Sequence, residues 1–345
     1  MRSFTILLSV ATLSACASAE VENAESGAAQ PSPSADPWVY TVNHNNADQW
    51  YLPVPVEGAE PSLDASLFVH EFGEGPTAVV VHGGWGAEHS YLRPFLDPLS
   101  PELHLVYYDQ RGSLRSPCED PCEISIDNHI ADLERLRQAL GEDQLTLIAH
   151  SMGTWLAQAY AQAHPDRVEK LVLVGALPAQ SPPPEDLPEL EGEAMNAQAM
   201  TERPSVVAVR EAEGLTEGEL TGRQISDAWK TRFAAVNLHD PTHWRRVEGG
   251  QSLYDGEAGR AATSTGWTGR WDYTDTLSTL PQPVDVIMGR FDFADFEARN
   301  WRHLADQPGS NVRFHDMGQT GHTGWYEAPV AYREAVRNAL GLGAD

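Results

Sequence analysis

The sequence predicts an α/β protein with a mostly parallel sheet, helices on both faces of the sheet and an inserted, largely helical cap. Apolar, β-branched runs alternate with helical periodicity from Thr77 to Val174 and again from residue 281 onward. This alternation is typical of a parallel sheet covered on both faces. Residues 178–280 interrupt it with a Pro-rich, acidic opening and four tryptophans, which indicates an insertion between two strands.

Length and composition allow one large domain with such an insertion. The chain has 345 residues, of which 41% are hydrophobic, enough for a sizeable core. A net charge of −27 argues against nucleic acid or an anionic membrane face as a partner of the folded part. We interpret the charge mainly as a solvated acidic surface, with cationic substrates as a second interpretation.

The first 15 residues have the pattern of a signal peptide. Arg2 supplies a positive charge, and residues 4–13 are apolar but too few to span a bilayer. The run Leu13-Ser14-Ala15-Cys16 resembles a bacterial lipobox, in which Cys16 would be lipidated and tether the protein to a membrane. The alternative is ordinary cleavage at Ala17-Ser18-Ala19, before Glu20.

We favour the lipobox because a cysteine at this position has no other evident role. Residues 16–37 are polar, acidic and rich in proline and serine, so they predict a flexible tether. The expected location is therefore the bacterial cell envelope, as a lipoprotein, or the periplasm or medium after ordinary cleavage.

The other two cysteines, Cys118 and Cys122, lie four residues apart. Export into oxidising surroundings favours a small-loop disulfide between them, and two free thiols are the alternative. Two cysteines without a clustered histidine do not favour a zinc site.

The elements follow from local pattern, and they divide the folded part into a first core segment (38–177), the cap (178–280) and a second core segment (281–345). A glycine, Gly141, should end the first long helix. The predicted strands are 48–54, 66–72, 77–81, 103–108, 145–148, 170–174, 283–288 and 311–317. The predicted helices are 126–140, 154–163, 296–304 and 327–340.

A serine stands between one predicted strand and the following helix, in Ala149-His150-Ser151-Met152-Gly153. A strand, a tight turn carrying serine and a helix form the context of the G-x-S-x-G nucleophile elbow of α/β-hydrolases. Alanine replaces the first glycine of the motif. Gly153 stands where a side chain would collide as helix and strand approach each other. Ser151 is therefore the predicted nucleophile.

A serine hydroxyl needs a base to accept its proton, and the chain order in this fold is serine, acid, histidine. Asp292 and His322 each follow a predicted strand, and the carboxyl ends of parallel strands carry the sites of open α/β sheets. His322 is the predicted general base, and Asp292 is predicted to orient it and stabilise its charge. Asp295 is the alternative acid.

Two backbone amides are predicted to form an oxyanion hole. Met152 follows the nucleophile, and Gly84 lies in the glycine-rich turn after a central strand. His82 and His150 occupy motif positions and are expected to make structural hydrogen bonds. The remaining histidines considered are expected at the surface or in packing: His129, His239, His243, His303 and His315.

Five segments together, VVVHGGWG, YYDQRGSLRS, AHSMG, GRFD and TGHTGWYEAP, resemble the proline iminopeptidase branch of the α/β-hydrolase superfamily. The resemblance covers about residues 65–177 and 281–341, and not the cap. It implies the α/β-hydrolase fold, a triad of Ser151, Asp292 and His322, and an oxyanion hole of Gly84 and Met152.

The sequence departs from this branch at two positions, Trp85 for a proline and Leu114 for a glycine. Trp85 is expected to narrow or reshape the leaving-group side of the cleft. In such peptidases, cap carboxylates hold the free amino group of the substrate. Several cap glutamates are available, although none aligns to that role: Glu202, Glu211, Glu213, Glu217 and Glu219.

These observations predict a serine hydrolase acting through an acyl-enzyme, specifically an exported aminopeptidase of proline iminopeptidase type on short peptides. A carboxylesterase or lactonase acting on small apolar substrates is the alternative. A non-catalytic envelope binding protein is the third hypothesis, disfavoured by the intact triad order. A serine at the elbow argues against epoxide hydrolase or dehalogenase chemistry. Because metal, nucleotide and flavin motifs are lacking in the sequence, no cofactor is implied.

Overall fold

The computed structural model describes residues 48–55, 65–118, 123–185, 187, 200–216, 219–249 and 270–343. The chain divides into Met1–Asp36 and Pro37–Asp345, and all described residues belong to the second unit. The predicted signal peptide, tether and lipidation site at Cys16 lie outside the described residues and stay predictions. None of the described helices has the length and apolarity needed to cross a bilayer.

The centre of the fold is an eight-stranded sheet. Its strands are β1 Asp48–Pro53, β2 Ser66–Gly73, β3 Thr77–Val81, β4 His104–Tyr108, β5 Leu145–His150, β6 Val168–Val174, β9 Val284–Met288 and β10 Val312–Asp316. They lie in the order β1-β2-β4-β3-β5-β6-β9-β10. β1 and β2 pair antiparallel, β2 pairs antiparallel with β4, and the other neighbours are parallel. The mostly parallel sheet is therefore as predicted.

Each inner strand is buried on both sides, because its alternating side chains enter two separate cores. On β3, Val79 and Val81 belong to one core, whereas Ala78 and Val80 belong to the other. The first core also contains residues of α2 (Ile126–Leu140), α3 (Met152–Ala163), α6 (Thr274–Thr279) and α7 (Arg299–Ala305). The second contains residues of α1 (Arg93–Leu96) and α8 (Pro329–Leu340). Helices thus cover both faces.

The ends of α2 show how local sequence sets these elements. Ser125 precedes the helix in extended conformation, and its side chain accepts a hydrogen bond from the backbone N–H of Asn128, a cap that stabilises a helix by about 1 kcal/mol. Gly141 ends it in the left-handed conformation at φ +74°. The predicted stop at Gly141 is found at that residue.

The described part of the cap segment contains two longer helices, α4 (Pro204–Ala212) and α5 (Gly222–Asn237), and a 3-10 helix, Pro241–Arg246. Two short strands, β7 (Gln180–Ser181) and β8 (Trp271–Asp272), pair antiparallel. Because β7 follows the first core segment and β8 precedes the second, this pair brings the two ends of the segment together. The exact cap boundaries, 178 and 280, stay predictions.

Three details differ from, or add to, the predicted elements. The predicted helix 296–304 is a 3-10 turn, Phe296–Ala298, followed by α7, with Glu297 and Ala298 at positive φ between them. The last helix begins at Pro329 rather than 327, since proline suits the first helical turn. Cys118 is disulfide-bonded, whereas its predicted partner Cys122 lies outside the described residues.

Candidate active site

The predicted nucleophile occupies a strained turn between β5 and α3. Ser151 has φ 54° and ψ −126°, a conformation that costs a non-glycine residue energy and is tolerated where the surroundings enforce it. Here the surroundings are hydrogen bonds: Ser151 N–H donates to the carbonyl of Val174, and the Thr154 hydroxyl donates to the carbonyl of Ser151 at 2.6 Å. The turn therefore has the geometry of a nucleophile elbow.

Two glycines let the neighbouring backbones approach this turn. A Cβ on Gly153 would lie 2.4 Å from the carbonyl oxygen of Val81, so α3 can pack on β3 only without a side chain there. A Cβ on Gly83 would lie 2.5 Å from the Cβ of Ser151. The glycine-rich turn after β3 consequently lies directly against the serine. We call this turn, residues 82–86, the oxyanion loop after its predicted role.

The structure brings His322 together with Asp292. The Nδ1 of His322 lies 2.7 Å from Oδ1 of Asp292, which also accepts the backbone N–H of Ala294 at 2.8 Å. Both side chains are almost fully buried. The other ring nitrogen, Nε2, has no hydrogen-bond partner among the residues that the structure describes. It therefore remains able to accept a proton from a neighbouring hydroxyl.

The alternative acid, Asp295, has a different set of partners. Its carboxylate accepts the backbone N–H groups of Asn300 and Trp301 in the first turn of α7, and the Asn300 side chain. Burial raises its pKa, with these hydrogen bonds acting in the opposite sense. Asp295 thus stabilises the start of α7, and Asp292 is the carboxylate at the histidine.

The two predicted oxyanion donors are the backbone amides of Met152 and Gly84. Met152 is the first residue of α3, where backbone N–H groups have no acceptor within the helix. Gly84 lies at φ +69° in the turn after β3. His82 braces this turn by accepting the backbone N–H of Gln110 at 3.0 Å, while the Gln110 side chain donates to the carbonyl of His82. The oxyanion roles themselves stay predictions.

A cavity of about 290 Å³ lies over these groups and is roofed by the cap segment. Ser151 and His322 line it, and its walls are predominantly apolar. Phe293, which is 41% exposed, packs against the His322 ring with the centroids 4.2 Å apart and the ring planes tilted by 45°. The other lining residues come from the turn after β3 and the segment that follows it, from the end of β5, from the cap segment and from the turn before α8: Gly83, Gly84, Ala87, Tyr91, His150, Trp229, Phe233, Asn237, Val247, Glu248 and Tyr326.

Sequence reasoning missed the one carboxylate among the described lining residues, Glu248. The described members of the glutamate set named from the sequence do not line the cavity, and Glu213 instead pairs with Arg245 at 2.5 Å. Glu217 lies outside the described residues. The position of Glu248, next to buried Val247 at the end of the 3-10 helix, depends on how the cap folds back, which no local sequence pattern reveals.

The expectation for Trp85 was wrong. Its side chain does not reach the cavity but is buried, stacked on His129 at 5.1 Å and edge-on to Trp155 at 5.8 Å. It fills space between α2 and α3, so it shapes the core beneath the oxyanion loop rather than the leaving-group side of the cleft.

Three buried side chains near the oxyanion loop, Glu88, His89 and Asp109, hold potential metal-ligand atoms within 4.8 Å of one another. Their hydrogen bonds hold the backbone of residues 89 and 90 in place. Asp109 accepts both the backbone N–H and, at 2.7 Å, the Nδ1 of His89, and Glu88 accepts the backbone N–H of Ser90. We assign no metal to them.

Comparison with known proteins identifies relatives of this chain. A family model described as alpha/beta hydrolase fold matches residues 77–329. A proline iminopeptidase of Saccharolobus solfataricus is 36% identical over 107 residues, which are 30% of this chain and 34% of that protein. The chain thus spans about a third of the length of this relative.

Two further proteins match over a longer range. A proline iminopeptidase of Lactobacillus helveticus is 27% identical over 255 residues, covering 69% of this chain and 82% of that protein. The solved structure of a proline iminopeptidase-related protein from Thermus thermophilus has a TM-score of 0.58 and 24% identity, covering 85% of this chain and 98% of that one. The structural match shows a shared fold.

Proposed function

We propose that this chain, which belongs to the alpha/beta hydrolase fold family, acts as a serine hydrolase that removes an N-terminal proline from short peptides. The observation that carries this proposal is the composition of one cavity. Ser151 and His322 line it, its walls are predominantly apolar, and the one carboxylate among its described lining residues is that of the exposed residue Glu248. The relatives named proline iminopeptidase support the substrate class.

The proposed reaction uses these groups in order. Ser151 attacks the scissile carbonyl while Nε2 of His322 accepts its proton, and Asp292 holds the Nδ1–H and stabilises the imidazolium. The amides of Gly84 and Met152 bind the developing oxyanion, and each such donor is typically worth about 3–4 kcal/mol. His322 then protonates the leaving amine, and water hydrolyses the acyl-enzyme. The short Asp292–His322 contact supports this order of roles.

Glu248 supports an exopeptidase. A peptide with a free N-terminus carries a cationic amine next to its first residue, and the carboxylate of Glu248, a solvent-exposed residue that lines the cavity, offers that amine an opposite charge. The apolar walls suit the ring of proline. By resemblance, cap carboxylates perform this role in the proline iminopeptidase branch, and Glu248 is the cap residue whose position fits it.

An esterase or lactonase acting on small apolar substrates is the second candidate. Trp229 and Phe233 stack on each other at 5.0 Å and, with Phe293, form a wall without charge. Such a wall binds an acyl chain as well as it binds a proline ring. On this alternative Glu248 would have no partner on the substrate, which makes the two candidates separable by experiment.

The test compares kcat/KM for prolyl anilide, N-acetyl-prolyl anilide and phenyl butyrate, with Ser151→Ala as the blank. We expect the free-amine anilide to be hydrolysed and the acetylated one to react at least about 10-fold more slowly, the loss of one charge-assisted hydrogen bond. Glu248→Gln should lower free-amine turnover to a similar degree and leave ester turnover unchanged. Glu219→Gln, an exposed cap glutamate away from the cavity, is the matched control.

Each result separates the candidates. Equal hydrolysis of free and acetylated anilides would reject the exopeptidase assignment. Ester turnover without anilide turnover would establish the second candidate. Full activity of Ser151→Ala on any substrate would reject the serine mechanism altogether.

A further inference from the structure

A buried tyrosine joins two parts of the candidate site that the proposed mechanism treats separately. Tyr91 lies in a 3-10 turn, His89–Leu92, on the segment that follows the oxyanion loop. Its hydroxyl accepts the backbone N–H of Gly83 at 2.8 Å and lies 2.7 Å from Nδ1 of His150. His150 immediately precedes the nucleophile, and its Nε2 lies 3.2 Å from the backbone carbonyl of His322.

The donor and the acceptor of each of these three hydrogen bonds follow from the chemistry of the groups involved. A carbonyl oxygen can only accept, so Nε2 of His150 carries the proton. Burial and the neighbouring His322 lower the pKa of His150 well below its usual value, so the ring is neutral and its Nδ1 accepts. The Tyr91 hydroxyl must therefore donate to Nδ1, and burial raises the pKa of this hydroxyl, which keeps it protonated.

All three bonds consequently run one way, from the Gly83 amide through Tyr91 and His150 to the carbonyl of His322. Bonds aligned in this manner polarise one another. Tyr91 and His150 are only 7% and 4% exposed, so water does not compete for their partners. This series of hydrogen bonds ends at the backbone of Gly83 in the oxyanion loop and at the backbone of His322. Between them it passes through His150, the residue before Ser151.

We propose that Tyr91 and His150 are positioning residues that hold the oxyanion loop, Ser151 and His322 in register. This inference rests on the proposed serine mechanism. The three segments follow β3, β5 and β10 of one sheet, and beyond the strand ends the hydrogen bonds of Tyr91 and His150 set their spacing. Transition-state stabilisation depends on that spacing, because misplacement of catalytic groups by about 1 Å can cost 100-fold in rate.

Two features of the geometry explain why this network suits catalysis. The bond to Tyr91 occupies the amide of Gly83 and fixes that peptide, and the next amide along the chain is that of Gly84, the predicted oxyanion donor. The rings of His150 and His322 lie with centroids 4.7 Å apart. A neutral His150 therefore spares His322 the repulsion of a second cation when His322 becomes an imidazolium.

The first test is Tyr91→Phe, which removes the hydroxyl and keeps the ring. We expect kcat to fall about 10- to 100-fold, the kinetic equivalent of leaving buried polar groups unpaired, while KM changes little because the cavity walls are retained. Tyr107→Phe is the matched control, since it deletes another buried hydroxyl, bonded to Asp97 at 2.8 Å outside the cavity. Equal kcat values for the two variants would overturn the proposal.

A second test asks for rescue at His150. His150→Phe removes both nitrogens, whereas His150→Gln keeps an N–H donor for the carbonyl of His322. We expect His150→Gln to retain at least about 10-fold more kcat than His150→Phe, the equivalent of one buried hydrogen bond. Two variants that unfold at the same temperature yet have equal kcat would contradict a positioning role.

A serine-directed fluorophosphonate separates this inference from the proposed function. If the wild-type enzyme does not react with the probe while Ser151 is intact, the serine mechanism itself fails. If the wild type reacts and Tyr91→Phe reacts equally fast, only the positioning network fails. Nitrogen NMR of the histidine rings should also show one imidazole that stays neutral, with the proton on Nε2, from pH 8 to pH 5. The signals of this ring should be absent in His150→Gln, which assigns them. Titration of this ring near pH 6 would contradict the assigned bond directions.

Discussion

Asp292 and Asp295 are three residues apart in sequence, yet their side chains serve different parts of the structure. Asp292 Oδ1 lies at the His322 ring, and its Oδ2 has no hydrogen-bond partner among the described residues. Asp295 is held by backbone N–H groups of α7. The difference arises from the turn after β9, which points the first aspartate toward β10 and the second toward the following helix.

Replacing each aspartate by asparagine tests this division. Asp292→Asn should lower kcat about 10³- to 10⁴-fold, because the amide no longer stabilises the imidazolium and favours the wrong tautomer of His322. Asp295→Asn keeps an oxygen for the amides of α7, so its kcat should stay close to wild type. Steady-state kinetics on whichever substrate is turned over provides the measurement.

Circular dichroism at matched temperatures would confirm that both variants are folded. A comparable loss of activity in Asp295→Asn would mean that the acid had been assigned to the wrong residue. An active Asp292→Asn would remove the acid from the mechanism.

At the scale of elements, Glu327 joins the cap segment to the loop that carries His322. Its carboxylate accepts three backbone N–H groups, those of His239 and Asp240 just after α5 and that of Gly321 at 2.8 Å. Next to this clamp, the backbone N–H of Thr323 donates to the carbonyl of Asn237 at 3.0 Å. The end of α5 is thus fixed directly on the residues that flank the candidate base.

We expect Glu327→Gln to loosen this junction, because an amide offers one acceptor oxygen in place of two and lacks the charge that strengthens such bonds. kcat/KM should fall about 10-fold, the equivalent of one lost charge-assisted bond. Hydrogen exchange should accelerate at the amides of His239, Asp240 and Gly321.

Glu334→Gln on α8 is the control, since that side chain is 60% exposed and lies 3.8 Å from Arg337 at the surface. Unchanged exchange at the three amides of Glu327→Gln would show that the clamp does not hold the junction.

How far sequence predicts this structure depends on whether the signal is local. The strand Thr77–Val81 is a run rich in β-branched residues, and its predicted bounds match the structure to the residue. The α/β-hydrolase fold is confirmed by the sheet and by the family match. Asp292 and His322 were predictable as neighbours because each follows a strand of one sheet edge, although their catalytic roles stay predictions.

Contacts between distant segments lack such a signal. Glu297 and Ala298 break the predicted helix at positive φ, a conformation that neither residue type favours. Trp85 replaces a proline of the related motif, and its burial against α2 and α3 follows from space in the core, not from its neighbours in sequence. The cap contacts of Glu248 and Glu327 depend likewise on tertiary packing.

At the scale of the whole molecule, the two cores enclose ionisable side chains that folding keeps neutral. His129 on α2 is 2% exposed and packed on Trp85. Burial, with Arg111 and His82 acting in the same direction, lowers its pKa to about 3. His70 on β2 is similar: burial, reinforced by Arg93 and His89, lowers its pKa to about 4.

These histidines should make the protein less stable as the pH falls below 6.5. At pH 7 neither the folded nor the unfolded state protonates them extensively, so they cost the folded state almost nothing. Between pH 6.5 and 4 the unfolded state binds protons that the folded state does not, and the free energy of unfolding decreases. From pH 7 to pH 5 each histidine should contribute a loss of about 2 kcal/mol. Urea denaturation at several pH values, with the disulfide intact, measures this slope.

His129→Phe should remove one histidine from this balance and reduce the loss between pH 7 and pH 5 by about 2 kcal/mol. His129→Gln should reduce it equally, even though glutamine packs less well on Trp85 and lowers stability at pH 7, because the slope depends on proton binding and not on packing. Carboxylates act mainly below pH 5 and do not obscure the comparison. In Glu134, for example, burial raises the pKa, but hydrogen bonds to Arg137 and Tyr160 outweigh it and lower the pKa to about 2. A slope unchanged by both substitutions would show that His129 is protonated in the folded protein, and that the core beneath the oxyanion loop admits a charge.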